Sequence, residues 1–212
     1  MSTFFMGLGH KVTTVHFISK AVSDGINKLD AAILMTIMGT TSLIGRIIHG
    51  WFVDLGHYTP MFVSGCTFIL AGASLLLVSV TRGNYIIFGA ISAWYGFTMG
   101  ICIPLGAVSV KYCLGVSHLS IAFGWTLLHS GIGNTLGPPL AGWIYDITEN
   151  YNLSFVLAGS SLILSGSLLF TQLAYKRWQN KRMDSHTHIP CDTDTQYKDE
   201  ETDENFPEET YP

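Results

Sequence analysis

Charge is scarce in this sequence. Only 12% of its residues are Asp, Glu, Lys or Arg, where water-soluble domains carry about 25%. A broad basic surface for nucleic acid is therefore excluded. Cysteine is equally uninformative as a framework. Cys66, Cys102, Cys113 and Cys191 are irregularly spaced, the first three in or beside apolar runs, and they read as core thiols rather than as disulfide or zinc positions. No His-Glu-x-x-His helix, Gly-x-Ser-x-Gly elbow or phosphate loop occurs, so no enzyme, metal site or cofactor is expected. Residues 4–18 do not read as a secretory leader, because Lys11 stands where its apolar centre would have to be.

What the sequence has in abundance is long uncharged runs. A bilayer core of about 30 Å takes roughly 20 apolar residues as a helix. Five runs reach that length: 30–53, 59–80, 85–110, 120–144 and 153–174. An earlier segment, 4–18, is only moderately apolar, carries His10, Lys11 and His16, and reads as the trailing half of a sixth helix. The short polar links make neighbouring spans antiparallel. The expected fold is thus an all-α membrane protein with a domain over 1–174. A basic cluster, Lys176, Arg177, Lys181 and Arg182, follows as a stop-transfer signal that belongs in the cytoplasm. Six alternating spans then place both termini there, in a multi-pass protein of the plasma membrane. From Asp184 onward ten acidic residues face a single Lys198, a local charge of −9 that leaves the first 183 residues at +5. Residues 175–212 are expected to be a basic-then-acidic disordered cytoplasmic tail.

Glycine recurs inside these spans, in pairs such as Gly96 with Gly100 and Gly133 with Gly137. Lipid gives helices no hydrophobic reason to associate, so small residues that admit close backbone approach supply the attraction. A longer self-similarity is more informative. Gly45-Arg46-Ile47-Ile48-His49-Gly50-Trp51-Phe52-Val53-Asp54 repeats two glycines, a Trp and an Asp in the register of Gly137-Pro138-Pro139-Leu140-Ala141-Gly142-Trp143-Ile144-Tyr145-Asp146. The copies close the second and fifth spans, which cross in opposite senses. Two three-helix units related by an in-plane pseudo-two-fold produce this pattern. The Trp positions also suit an interfacial aromatic belt.

Arg46 lies about 10 Å of helix rise from the aqueous end near Val53. A guanidinium at mid-helix costs about 2.5 to 3.5 kcal/mol on insertion scales. Two roles are open to it: bidentate contact with a carboxylate in a water-filled cavity, or a structural pair with a neighbouring acid or helix-end carbonyls. Asp54 reads mainly as a helix-end acid holding the following loop. On the fifth span His129 stands beside Thr126, Ser130 and Asn134, which share one helical face. It is either a proton relay or the partner in an interhelical hydrogen bond. His10, Thr13 and Thr14 are candidates to line the same cavity, and Lys111 reads as an interfacial cation. His49 is as well explained by packing as by chemistry. His186, His188 and Cys191 are too irregular for a metal site.

The block Gly45-Arg46-x-x-x-Gly50-x-x-x-Asp54 resembles the signature after the eighth helix of major facilitator transporters. The Gly137-Pro138-Pro139 block through Asp146, followed by Tyr151-Asn152-Leu153-Ser154-Phe155 and Ala158-Gly159, resembles the eleventh and twelfth helices of monocarboxylate transporters. The resemblance runs from about Phe4 to Phe170 and covers the C-terminal six-helix half of a twelve-helix member, itself a 3+3 inverted repeat. It implies transport of a small monocarboxylate or related organic anion, often with a proton, by alternating access. It gives Arg46 the carboxylate-pairing role and Asp54 that of a gating latch. Ser42 stands where lactate-type members carry an aspartate, which breaks an Asp–Arg proton couple, and Met99 falls at a selectivity position of the tenth helix. The expected partners are the anion, a proton, the bilayer, and an N-terminal half or single-span accessory subunit. A non-transporting membrane partner or regulatory subunit is the alternative function.

Overall fold

Within hydrocarbon every backbone polar group must be satisfied by the segment itself, which for these runs means helices. A computed structural model of the chain describes residues 1–54, 59–81, 83–114 and 119–187, without the side chains of 51–54, 112–114, 180, 181 and 183–187. The helices among the described residues are α1 (Ser2–Ser23), α2 (Lys28–Asp54), α3 (Pro60–Val80), α4 (Tyr85–Leu114), α5 (Leu119–Thr148) and α6 (Tyr151–Thr187). Arg82 and residues 188–212, with His188 and Cys191, lie outside them.

Two boundaries differ from the expectation. α1 is no half helix. Its 22 residues, at about 1.5 Å each, are long enough for a bilayer core. The polar residues inside it do not interrupt it, because Thr13 and Thr14 donate back to the carbonyls of Gly9 and His10 at 2.9 and 3.2 Å. At the other end, α6 does not stop at Ala174 but carries the basic cluster as helix to Thr187. Lys and Arg end the apolar run while remaining good helix formers, and Arg182 covers the Trp178 ring at 4.2 Å. The disordered tail expected from residue 175 therefore does not begin there.

Among the described residues α2, α3, α4 and α6 are long and apolar enough to cross a membrane on composition alone. α1 and α5 are diluted by His, Thr, Ser, Asn, Gly and Pro. These two more polar helices pack on each other.

The main pairings are α1 with α5 and α6, α4 with α2 and α3, and α3 with α6. Exchanging α1 with α4, α2 with α5 and α3 with α6 maps this set onto itself. The match extends to single atoms. A Cβ added to Gly45 would run into the Phe97 carbonyl, and one on Gly137 into the Leu8 carbonyl; Gly96 abuts the Met38 carbonyl as Gly7 abuts that of Ser130. Gly45 to Gly137 and Met38 to Ser130 are both 92 residues apart, Gly7 to Gly96 and Leu8 to Phe97 both 89. Gly72 and Gly159, on α3 and α6, face each other's carbonyls reciprocally. The helices thus form a 3+3 inverted repeat, with α2 packed beside α4 and α5 beside α1.

The core gathers Val12, Phe17, Leu34, Leu75, Phe88, Tyr95, Phe155 and Leu162 from the packed helices. Near the α1–α2 link a buried cation joins it. Lys20 is 2% exposed, and its Nζ donates to both carboxylate oxygens of Asp24 at 2.6 Å. The pair borders a cavity of about 520 Å³ lined also by Ser79, Thr81 and Asn152.

Two stability outcomes follow from this packing. Overpacking costs about 1–3 kcal/mol where side chains can move, and Gly100 has only the Ser42 backbone opposite it. Gly100→Leu is expected to lower the melting temperature in detergent, followed by size-exclusion recovery after heating. Gly106→Ala, where an added Cβ meets nothing, should not lower it. Asp24→Asn strands the Lys20 ammonium and should cost about 3–5 kcal/mol, whereas the double change Lys20→Met with Asp24→Asn recovers most of that loss in the same assay.

Candidate substrate site

Close packing of α2 on α4 decides where Arg46 sits. Gly45 lies against Phe97, Gly100 and Ile101, and Gly100 lies against Ser42, so the residue after Gly45 is held beside the middle of α4. Tyr95 is 10 residues from the start of α4 at Tyr85 and Ile101 is 16, which puts this level about 15–24 Å along the helix, near the centre of the membrane core. α1 reaches the same level from the other side, where His10 Nδ1 and the Tyr95 hydroxyl are hydrogen-bonded at 3.2 Å and the two rings stack at 6.4 Å. Tyr95 itself is buried.

Arg46 and Lys11 are exposed on this chain. Lys20 pairs with Asp24, whereas neither Arg46 nor Lys11 shares in an ion pair among the described residues. The described acids Asp24, Asp30, Asp146 and Glu149 all stand at or beyond helix ends on the α1–α2 and α5–α6 link side. Asp30 is 16 residues from Arg46 on the same helix, about 24 Å away along the axis. The structural-pair role for Arg46 thus finds no acid within the described part of the chain. The exposed Arg46 guanidinium, next to the hydrogen-bonded His10–Tyr95 pair, is the candidate anion contact at this level.

The other expected residues distribute unevenly. Ser42 is half-buried against Gly100, one turn from Arg46, and belongs to this level. Met99, expected to shape the pocket, is 2% exposed and part of the core. It lies three residues from Gly96 on the side of α4 pressed onto α2, so it packs rather than lining an open face. His129 donates from Nδ1 to the Trp125 carbonyl of its own helix at 2.8 Å, not to another helix as the interhelical reading required. Asn134 is half-buried, its backbone near Gly7. His129 and Asn134 sit on α5, which packs on α1, while Arg46 sits on α2, which packs on α4; the fold does not bring them together within this chain.

Of the signature glycines, Gly45 and Gly137 are close-packed, whereas Gly50 has open space around it. The Pro138 carbonyl accepts from His16 Nε2 at 3.2 Å, tying α5 to α1, while Pro139 is exposed. Asp146 is exposed near the end of α5, and the Asp54 side chain lies outside the described residues. Sequence reasoning passed over Lys11 and Tyr95. A cation amid an apolar span was a usable signal for Lys11; nothing local marks Tyr95.

Residues 1–195 match the family model described as Major Facilitator Superfamily. Among curated proteins, the chain is 32% identical over 174 residues to monocarboxylate transporter 9 of Gallus gallus, covering 82% of this chain and 34% of that protein. It is 30% identical over 165 residues to monocarboxylate transporter 13 of Rattus norvegicus, covering 77% and 38%. Over 196 residues it is 29% identical to monocarboxylate transporter 12-B of Danio rerio, covering 89% and 40%. The chain therefore spans little more than a third of the length of the relatives it matches.

Arg46→Cys and Met99→Cys separate an open position from a packed one. With the native cysteines replaced by serine, a membrane-impermeant thiol reagent is expected to label the first in the full chain and not the second, read by mass shift.

Proposed function

The chain belongs to the Major Facilitator Superfamily, and from that premise we propose that it forms the C-terminal six-helix half of an alternating-access carrier for a small organic anion, a monocarboxylate or a close relative. Arg46 is the carboxylate anchor. The observation that carries this reading is an exposed guanidinium near mid-membrane with no ion pair among the described residues, on the helix packed beside α4. A cation placed there costs free energy that a bound carboxylate offsets, and the planar fork of donors fits two carboxylate oxygens at once. The names of the curated relatives point to the same ligand class.

The cavity of such a carrier lies between two halves. α1 and α4, with α2 and α5 beside them, would form this chain's wall of it, and the glycine seams behind would let the unit move as a rigid body. Ser42 offers no carboxylate one turn before Arg46, so a proton taken up with the substrate would have to ride on another group. The protein would sit in the plasma membrane with both ends of its membrane domain at the cytoplasmic face, where the basic stretch of α6 meets anionic headgroups.

The test is uptake of radiolabelled short-chain monocarboxylates by cells expressing the chain alone or together with a matching N-terminal six-helix half. Uptake is expected only from the pair. Hydrogen bonds to charged groups contribute about 1.5–3 kcal/mol, so Arg46→Lys, which keeps the charge and loses the fork, should weaken apparent affinity by roughly 10- to 100-fold. Full uptake by Arg46→Lys, or by the chain alone at the level of the pair, overturns the reading.

A further inference from the structure

Lys11 is the feature that a monocarboxylate anchored by Arg46 leaves unexplained. It sits at the tenth of the 22 positions of α1, away from either end, where a long cationic side chain cannot easily reach headgroups. It is exposed, and it shares no ion pair with a described residue. Its place is fixed by its neighbour: the His10–Tyr95 hydrogen bond pins this turn of α1 against α4, while Gly45 pins the turn of α2 that carries Arg46 against Phe97, Gly100 and Ile101 of the same helix. The segment 95–101 of α4 is thus flanked by one cation from α1 and one from α2. Thr14 donates to the carbonyls of both His10 and Lys11 at 3.2 Å, which holds the backbone at that turn.

Two uncompensated positive charges at one depth ask for two negative ones, and a single carboxylate supplies half of that. Resting on the anion-carrier reading above, we infer that Lys11 is a second anchor for the substrate, so that the site takes a carboxylate bearing a second anionic group, a small dicarboxylate being the simplest case. Arg46 receives one carboxylate through its fork. The Lys11 ammonium, a compact point charge on a flexible stem, receives the second, and the half-buried His10 ring, held by Tyr95, offers its other nitrogen to a polar group along the substrate backbone.

Butyrate and succinate, equal in carbon number and different by one carboxylate, distinguish the cases. With the chain and its N-terminal half co-expressed, succinate is expected to be the better substrate. Lys11→Gln should raise its KM by about tenfold or more relative to that of butyrate, and Lys11→Arg should retain succinate uptake. Equal losses for both anions in Lys11→Gln, or no change for either, overturns the second-anchor role while leaving the Arg46 reading intact. Failure of the unmodified pair to take up either anion overturns the carrier reading instead. A readout independent of transport accompanies these. In the full chain with native cysteines replaced by serine and Lys11 kept, succinate should slow labelling of Ser42→Cys by a cationic methanethiosulfonate more than butyrate does. Identical labelling rates with and without succinate count against the inference even where transport persists.

Discussion

Backbone laid directly on backbone is the constraint from which the rest of this structure follows. Hydrocarbon removes the usual reward for burying apolar side chains between helices, leaving dispersion and close approach to hold the bundle. The glycines answer that requirement at the carbonyls of Met38, Ser42 and Phe97 on one seam, of Phe4, Leu8 and Ser130 on a second, and of Gly65, Gly72 and Gly159 on a third. Each contact fixes a depth as well as a distance, because a glycine faces one carbonyl and no other. The depth of Arg46 is inherited from Gly45 in this way.

The same rigidity explains how a costly charge can be kept. A cation within a membrane domain is tolerated where it faces water or a partner, and here both Arg46 and Lys11 are exposed, on helices whose packed sides are occupied by glycine seams. Lys20 is the contrasting case. It too is a lysine on α1, but it is buried with Asp24 one turn away, a closed pair in which each charge satisfies the other. One helix therefore carries a neutralised lysine near its end and an exposed one at its centre, and what separates the closed pair from the open cation is the presence of that aspartate.

A good deal of this was legible beforehand. The apolar runs gave the helices, the Gly45 and Gly137 blocks gave the repeat, and Arg46 stood out as a cation where lipid should be. Other elements misled for identifiable reasons. Hydropathy undervalued α1 because its polar residues reduce the average without breaking the helix, their hydroxyls bonding backward along the chain. Hydropathy also ended α6 at Ala174, since it reports affinity for lipid and not helicity. Met99 looked like a pocket residue through the family resemblance, yet within this chain it is buried in the core. His129 looked poised for a neighbouring helix and bonds to its own.

Taken alone, the sequence determined the class of molecule and its internal symmetry, because hydrophobic length and a ten-residue repeat are local properties written in order along the chain. It could not determine which helices touch, since every span is apolar enough to meet any other and α1 shares no visible motif with α4. Only the packed structure decided that Gly7 and Leu8 answer to Gly96 and Phe97, and with them that His10 meets Tyr95 while Lys11 and Arg46 flank one stretch of α4. The reason is geometric: pairing between helices depends on which small residues come level in three dimensions, and that register is set by the bundle as a whole.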